Sequence, residues 1–524
     1  MKHRYFSTIF IALLLFGHAH SQSFTWIDGE ETGYNMNPVM VNYTVNTSTD
    51  GSIWFAGLKL KKTNYTEMMG DHFLIQYDAN GTRMNEHLIN GTLVIYAIET
   101  DEYGNLFISG NFLEEDIVFW DNTVISWDGN SLNGFVAKIL ANGTVDWAIN
   151  LNEEFGTFSS ISDLLYFDES LYMAHANWPD SYVSKVEQNG SVSQIIVQTG
   201  VGIVSGIDFD SQGNLYLTGS CSGESSLFNG VNFPSPFDYN KHLVKYDPQG
   251  NPLWVRFVED VTCISAQLKV DQDDHIYWAG PLSIMCTFDS INLMGPSWVY
   301  DFYLTRFSPD GNIQWAKEVP QVVTGDATIG KLESLSIMPD NSITFGGFTR
   351  GYLDWGNGIT TDATDNSYNV LIMNFDKFGN IQWAKTSEGS SWETTNSLDI
   401  DESGNVYLVG VANDTTHFDE LSYYLETFYY PFIVKLETES VGISLQANQT
   451  SNPWIVPNPV IDQLKISFPS NNIEHVKVFS STGQLIHQFE KKNTFPVPFL
   501  VPGIYFVRIE LIDGQILTNK MVKY

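Results

Sequence analysis

Positive charge is scarce in this sequence. Against 61 aspartates and glutamates stand 26 lysines and arginines, a formal net charge of −35. A nucleic-acid surface needs a basic patch or stripe, and none is visible, so nucleic acid is excluded as a partner. Cysteine is scarcer, at Cys221, Cys263 and Cys286 only. That excludes a disulfide framework and leaves open one pair with a free thiol or three buried thiols. After the first residues no apolar run is long enough to cross a bilayer. Helical periodicity is almost missing, and so are catalytic signatures. There is no His-Glu-x-x-His, and the 11 histidines lack metal-ligand spacing. Cys221, in Gly-Ser-Cys-Ser-Gly (219–223), occupies the serine place of a nucleophile elbow, but no strand-to-helix pattern follows it. Paired carboxylates for glycoside chemistry cannot be singled out among so many acids. No catalytic residue, cofactor or metal ligand is therefore assigned.

What is present is apolar and aromatic: 43% hydrophobic and 14% aromatic residues, with 41 glycines. This suits a folded, turn-rich chain. The opening MKHRY is basic and FSTIFIALLLF is apolar, with Ala19-His20-Ser21 as a cleavage site before Gln22. This reads as a signal peptide over 1–21 rather than an anchor, since the run is about half the ~20 residues that a span needs.

GNIQWAK stands at 311–317 and again at 379–385. Aligned on its glycine, seven segments emerge: FLIQYDANG (73–81), FVAKILANG (135–143), YVSKVEQNG (182–190), HLVKYDPQG (242–250), YLTRFSPDG (303–311), LIMNFDKFG (371–379) and FIVKLETES (432–440). Short apolar stretches interleave with them, among them IWFAG (53–57), LFISG (106–110), LYLTG (215–219), IYWAG (276–280) and VYLVG (406–410). These read as strands buried on both faces. Turns such as DEYGN (101–105), DSQGN (210–214) and DESGN (401–405) precede them, and a tryptophan strand follows the glycine in four copies, at Trp147, Trp254, Trp315 and Trp383. About four strands per period of roughly 60 residues predict an all-β fold, a seven-bladed β-propeller over 22–440. The seventh segment has no tryptophan strand after it, whereas FTWID (24–28) has nothing before it. The expectation is that Trp26 closes the ring, in the place held elsewhere by Trp147, Trp254, Trp315 and Trp383.

These segments resemble the bacterial propeller repeats with D-x-x-G-N-x-Y-x-x-G followed by F-x-x-K-x-D-x-x-G-x-x-x-W. The copy at 160–195 is degenerate, with His175 and Gln194 at the glycine and tryptophan positions. YDPQGNPLW (246–254) is similar to the tryptophan-docking motif of quinoprotein propellers, which implies shared packing rather than a cofactor. The resemblance implies architecture and leaves activity open.

Lys138, Lys185, Lys245, Arg306 and Lys435 recur at one strand position, replaced by Gln76 and Asn374 in two copies. They form either a ring of cations for an anionic ligand or, as their repetition favours, partners of nearby acids. The D-x-x-G-N turns lack the alternating oxygen run of a calcium loop and read as hairpin turns; a weak metal at DQDD (271–274) stays open. The connections after the inner strands, notably the aromatic HFDELSYYLETFYYP (417–431), are the expected binding surface for a glycan or protein ligand. The alternative reading is that their aromatics cover the core.

After a polar linker (441–456) the pattern changes. PNPVIDQLKI (457–466), VFSSTGQ (478–484), PGIYFVRI (502–509) and TNKMVKY (518–524) follow one another. They predict a small immunoglobulin-like β-sandwich over 457–524 and strongly resemble the type A C-terminal sorting domain of the type IX secretion system of the Bacteroidetes. The resemblance implies export across both membranes to the cell surface or beyond, with the secretion machinery and its sortase as partners. It places the sorting signal at Pro457, Asn458, Pro459, Gly483, Gly503, Tyr505, Lys520 and Lys523. The expected function is a non-enzymatic glycan- or protein-binding scaffold. The alternatives are a secreted carbohydrate-active hydrolase or lyase, or a purely structural surface component.

Overall fold

The computed structural model describes residues 22–438 and 460–523, apart from 33–40, 63–68, 130–131, 157–159, 223–225, 260–265, 283–284, 296–300, 321–324, 364–366, 389–391, 427–428, 467–472, 481–484, 491, 499, 501–502 and 512–515. The signal peptide, the linker and Cys263 thus lie outside the described residues. The chain divides into two compact units, Met1–Thr438 and Glu439–Tyr524.

The larger unit is built of antiparallel strands, with one short described helix, Leu151–Phe155. Stretches rich in apolar residues on both faces become strands buried throughout. Leu106–Phe112, Asn369–Phe375 and Val406–Ala412 have every residue buried. The glycine near the end of such a strand has a steric purpose. A Cβ at Gly219 would stand 2.0 Å from the Ile203 carbonyl oxygen, and one at Gly410 2.0 Å from that of Thr394. In both places the partner strand bulges, between Val204 and Gly206 and between Thr395 and Ser397, and the bulge lays its carbonyl over the glycine.

The expected seven-bladed β-propeller of like repeats is corrected by the sheet topology. Among the described residues the strands lie in several antiparallel sheets of unequal size, and none is closed into a barrel or propeller or strongly curled. The strand Arg83–Thr100 runs for 18 residues. It pairs with Gly70–Tyr77 on one side and Leu106–Phe112 on the other, so two expected units merge into a nine-stranded sheet. Val192–Thr199 takes on the ribbon Leu227–Phe228 and Val231–Asn232, giving a sheet of six strands. Ile343–Gly356 pairs with Leu335–Ile337 and Asn369–Phe375, then continues to pair with Ile359–Ala363 in a second sheet of six. Met285–Phe288 with Ile291–Met294, and Thr416–Phe418 with Leu421–Tyr423, are separate two-stranded ribbons. The physical reason lies in the connections. An unpaired strand edge is unfavourable, and segments that the glycine alignment treats as loops are apolar enough to pair and extend the sheets.

Gln22–Gly29 pairs antiparallel with Tyr430–Thr438 and forms one edge of an open four-stranded sheet. Trp26, the residue expected to close a ring, stands opposite Lys435 in that register. Neighbouring sheets cover one another's apolar faces: Tyr43, Phe55 and Phe73 pack in one core with Tyr407, Val409 and Ile433.

In the C-terminal unit, Leu485–Glu490, Ile473–Ser480, Gly503–Leu511 and Ile516–Lys523 form one four-stranded sheet, and Gln463–Lys465 pairs with Thr494–Pro496. Leu464 and Phe495 share a core with Val476, Val507 and Met521. The expected small immunoglobulin-like β-sandwich is thus corrected in its strand content: among the described residues it is a sheet of four strands and a sheet of two that share one core.

Candidate functional site

The turn aspartates come first, because they set the positions of everything beside them. Asp210 accepts from the backbone N–H of Gln212 at 3.0 Å and of Asn214 at 2.9 Å, from the Asn214 side chain at 2.8 Å, and from the Tyr216 hydroxyl at 3.1 Å. Lys245 adds an ion pair at 3.1 Å. Burial works to raise this carboxyl, but the Asn214 hydrogen bonds and Lys245 outweigh it and hold it below the ordinary range. Asp401 repeats the pattern with Ser403, Asn405 and Tyr407. Asp271, first of DQDD, accepts from the N–H groups of Asp273 and His275 and pairs with Arg306 at 2.7 Å. Its oxygens are thus taken up. Among the described residues no three His, Cys, Asp or Glu side chains converge as a metal-ligand set.

Two of the recurrent cations, Lys245 and Arg306, serve these turns, and the others find partners nearby. Besides Lys245 and Arg306, Lys138 donates to Gln188 at 2.5 Å, Lys185 pairs with Glu187 at 3.2 Å, and Lys435 pairs with Glu437 at 2.9 Å. Lys245 also lies over the Tyr216 ring at 5.0 Å and Arg306 over Tyr277 at 5.4 Å. The tryptophans dock on glycines of neighbouring turns. Trp26, Trp147, Trp254 and Trp315 donate their indole N–H groups to the carbonyls of Ala79, Gln188, Pro309 and Lys377. A Cβ at Gly81, Gly311 or Gly379 would stand 2.5, 2.9 or 2.8 Å from the ring above it.

A second carboxylate precedes several turn aspartates by two residues, and these face a common interior. Asp208 accepts from the backbone N–H of Phe209 at 2.8 Å and, across to the next sheet, from that of Val270 at 2.7 Å. Asp163 does the same with Leu164 at 2.9 Å and Ile207 at 3.0 Å, and Asp399 with Ile400 at 2.8 Å and Thr47 at 2.7 Å. Each is a clasp between two sheets. Among the described residues Glu99 accepts only from its neighbour Thr100, at 3.2 Å. One lysine, Lys269, lies among them and pairs with Glu333. Burial would lower Lys269, but Glu333, Asp208 and Asp163 outweigh it and keep the ammonium charged well above the usual lysine value. Burial likewise pushes up Glu99, Asp163 and Asp399, and raises Asp208 to about 6. The signal for this cluster was in the sequence: Glu99-Thr100-Asp101, Asp208-Phe209-Asp210, Lys269-Val270-Asp271 and Asp399-Ile400-Asp401 share one register. The sequence reading took only the second acid of each pair.

The Asp208 geometry predicts a pH dependence. Its folded-state value of about 6 lies above the usual ~3.9 of a free aspartate. The folded protein therefore binds the proton more tightly, and stability falls as pH rises from about 4 through about 6. Urea titrations at about pH 4.5 and 7.5 should show this fall to be smaller by about 1–2 kcal/mol in Asp208→Asn than in the parent. Equal pH responses would remove Asp208 as a source.

Other sequence-assigned positions fall as follows. Cys221 and Cys286 are both buried, so Cys221 lacks the access a nucleophile needs. In the aromatic segment 417–431, Phe418 and Tyr430 are buried core, Tyr423 bonds Gly29, and Tyr424 is exposed. Of the sorting residues, Pro457, Asn458, Pro459 and Gly483 lie outside the described residues. Gly503 stands opposite Lys523, Tyr505 opposite Met521, and Lys520 opposite Phe506. Tyr505 and Lys523 are buried.

Residues 454–524 match the family of the secretion system C-terminal sorting domain. The protein is accordingly exported, secreted or held at the cell surface, and it associates with the type IX export and sorting system. Among the described residues no helix is long and apolar enough to cross a membrane. A curated relative, an uncharacterized WD repeat-containing protein of Acanthamoeba polyphaga mimivirus, is 20% identical over 463 residues, 76% of this chain and 32% of its own length. The chain thus spans about a third of that relative. Solved structures with partial likeness include a protein of unknown function from Bacteroides caccae (9% identity, 60% of this chain and 94% of that one, TM-score 0.33). Another is a puromycin-hydrolyzing peptidase of Mycobacterium tuberculosis (8% identity, 77% and 56%, TM-score 0.38). Likeness at these scores carries no argument about activity.

Proposed function

We propose that the larger unit is a rigid β-scaffold that binds a glycan or protein outside the cell and does not transform it. The observation that supports this reading is the commitment of the interior carboxylates. Asp163, Asp208 and Asp399 each hold one backbone N–H of their own strand and one of a neighbouring sheet. A general acid or base needs an oxygen free to meet a reacting proton. The sorting domain would deliver the scaffold, and a sortase acting on that domain would be its second partner.

A carbohydrate-active hydrolase is the second reading, favoured by Glu99. Its carboxyl is raised by burial, it is held by one backbone N–H, and it faces the Lys269–Glu333 pair. The exported protein should be tested against a panel of glycoside and peptide substrates and on a glycan array. Binding without turnover is expected. Turnover abolished by Glu99→Gln or Glu333→Gln would replace the first reading with the second.

A further inference from the structure

Trp178 is the most exposed tryptophan of the described residues, with 78% of its surface open. It sits in a connection two residues long, between strands Ser170–Asn177 and Asp180–Val186, closed by the pairing of Asn177 with Asp180. At the corresponding place in other sheets the chain spends far more residues: 113–132, 223–238, 282–301 and 413–429. The indole is nevertheless held. It lies against Gly202, where a Cβ would stand 2.7 Å from its Cδ1 and 3.0 Å from its Nε1. The Cδ1–Nε1 edge of the ring thus approaches a residue without a side chain, and most of the ring is open. Ile203, next in the chain, is 43% exposed.

Polar groups stand beside the platform. Asp180 Oδ1 accepts from the Gly200 N–H at 2.8 Å, which fixes the carboxylate and leaves Oδ2 without a partner among the described residues. The indole N–H likewise has no hydrogen-bond partner among them. An open aromatic face, a fixed carboxylate acceptor and one N–H donor match the C–H face and hydroxyl rim of a pyranose ring. A net charge of −35 disfavours anionic polymers and phosphorylated ligands.

We infer that Trp178, seated on Gly202 beside Asp180, is a binding platform for a neutral pyranose of an extracellular glycan. The inference rests on the binding reading given above and names its ligand class. The full exported chain is titrated calorimetrically with cellohexaose, xylohexaose, laminarihexaose and mannohexaose, and with polygalacturonate as the anionic control. At least one neutral oligosaccharide should bind, and polygalacturonate more weakly. Trp178→Ala should raise Kd at least about tenfold, as loss of a central aromatic anchor does. Gly202→Ala keeps the indole but shifts it, and Asp180→Asn keeps the Gly200 hydrogen bond but replaces an acceptor by a donor. Each should weaken binding at least about threefold at unchanged melting temperature. Binding to none of the neutral sugars, or equal affinity of the parent and Trp178→Ala, overturns the site. Equal affinity would do so while leaving the binding reading intact; turnover stopped by Glu99→Gln would end that reading instead.

Discussion

Lys269→Met is expected to destabilise the larger unit by about 2–3 kcal/mol near pH 7.5, read by urea titration. Breaking a buried ion pair typically costs about 3–5 kcal/mol because the remaining charges lose their partner. The estimate is lower here because Lys269 and Glu333 keep 21% and 40% of their side-chain surface open. The four other carboxylates that feel Lys269 are Glu99, Asp163, Asp208 and Asp399. The sign of the pH effect follows. The folded-state value of Lys269 lies above its ordinary 10.5, so its own contribution is fully present below about pH 10 and constant between 5 and 8. The carboxylates are raised, so they take up protons as pH falls and their mutual repulsion fades. The loss in Lys269→Met should therefore shrink toward pH 5, and Glu333→Gln added to it should restore part of the stability at pH 7.5. A variant as stable as the parent at pH 7.5 would mean that the lysine neutralises nothing.

Trp26→Ala carries the second large effect, about 2–3 kcal/mol, below the usual ~3–5 for a buried aromatic because the ring is half-buried. Trp26 stacks on Tyr77 at 5.6 Å, leans on Tyr407 at 6.1 Å, and bonds the Ala79 carbonyl at 3.3 Å. Tyr77 and Tyr407 belong to different sheets, so one side chain from the start of the described chain joins two of them. Trp26→Phe keeps the stacking and loses the N–H, so it should cost about 1 kcal/mol. An unchanged melting temperature in the alanine variant would show that the strand Gln22–Gly29 is held by its backbone pairing alone.

Much of the local structure was legible before any coordinates. Asp210 and Asp401 organise turns as their spacing announced, since an aspartate oxygen reaches the N–H groups two and four residues on whatever the fold around it. Lys245 pairs with Asp210 and Arg306 with Asp271 because cation and turn lie on adjacent strands of one sheet. The sorting module was legible for the same reason: its motifs are contiguous and in order. The interior cluster was overlooked although its register stands in plain view, because nothing in Asp208 or Lys269 alone says that distant strands bring them together.

By itself the sequence determined the strand-and-turn chemistry, the strong acidity of the chain, and the export address carried by residues 454–524. Only the tertiary structure decided how the strands are shared among sheets. Pairing along Arg83–Thr100 and Ile343–Gly356 does not stop where a glycine-aligned unit ends, and so the like repeats of the sequence become open sheets of nine, six and four strands. The tertiary structure also decided which acids meet Lys269 and which tryptophan stays open. A turn is settled by the reach of one side chain over its own backbone, whereas burial and charge clustering depend on residues far apart in the chain that only packing brings together.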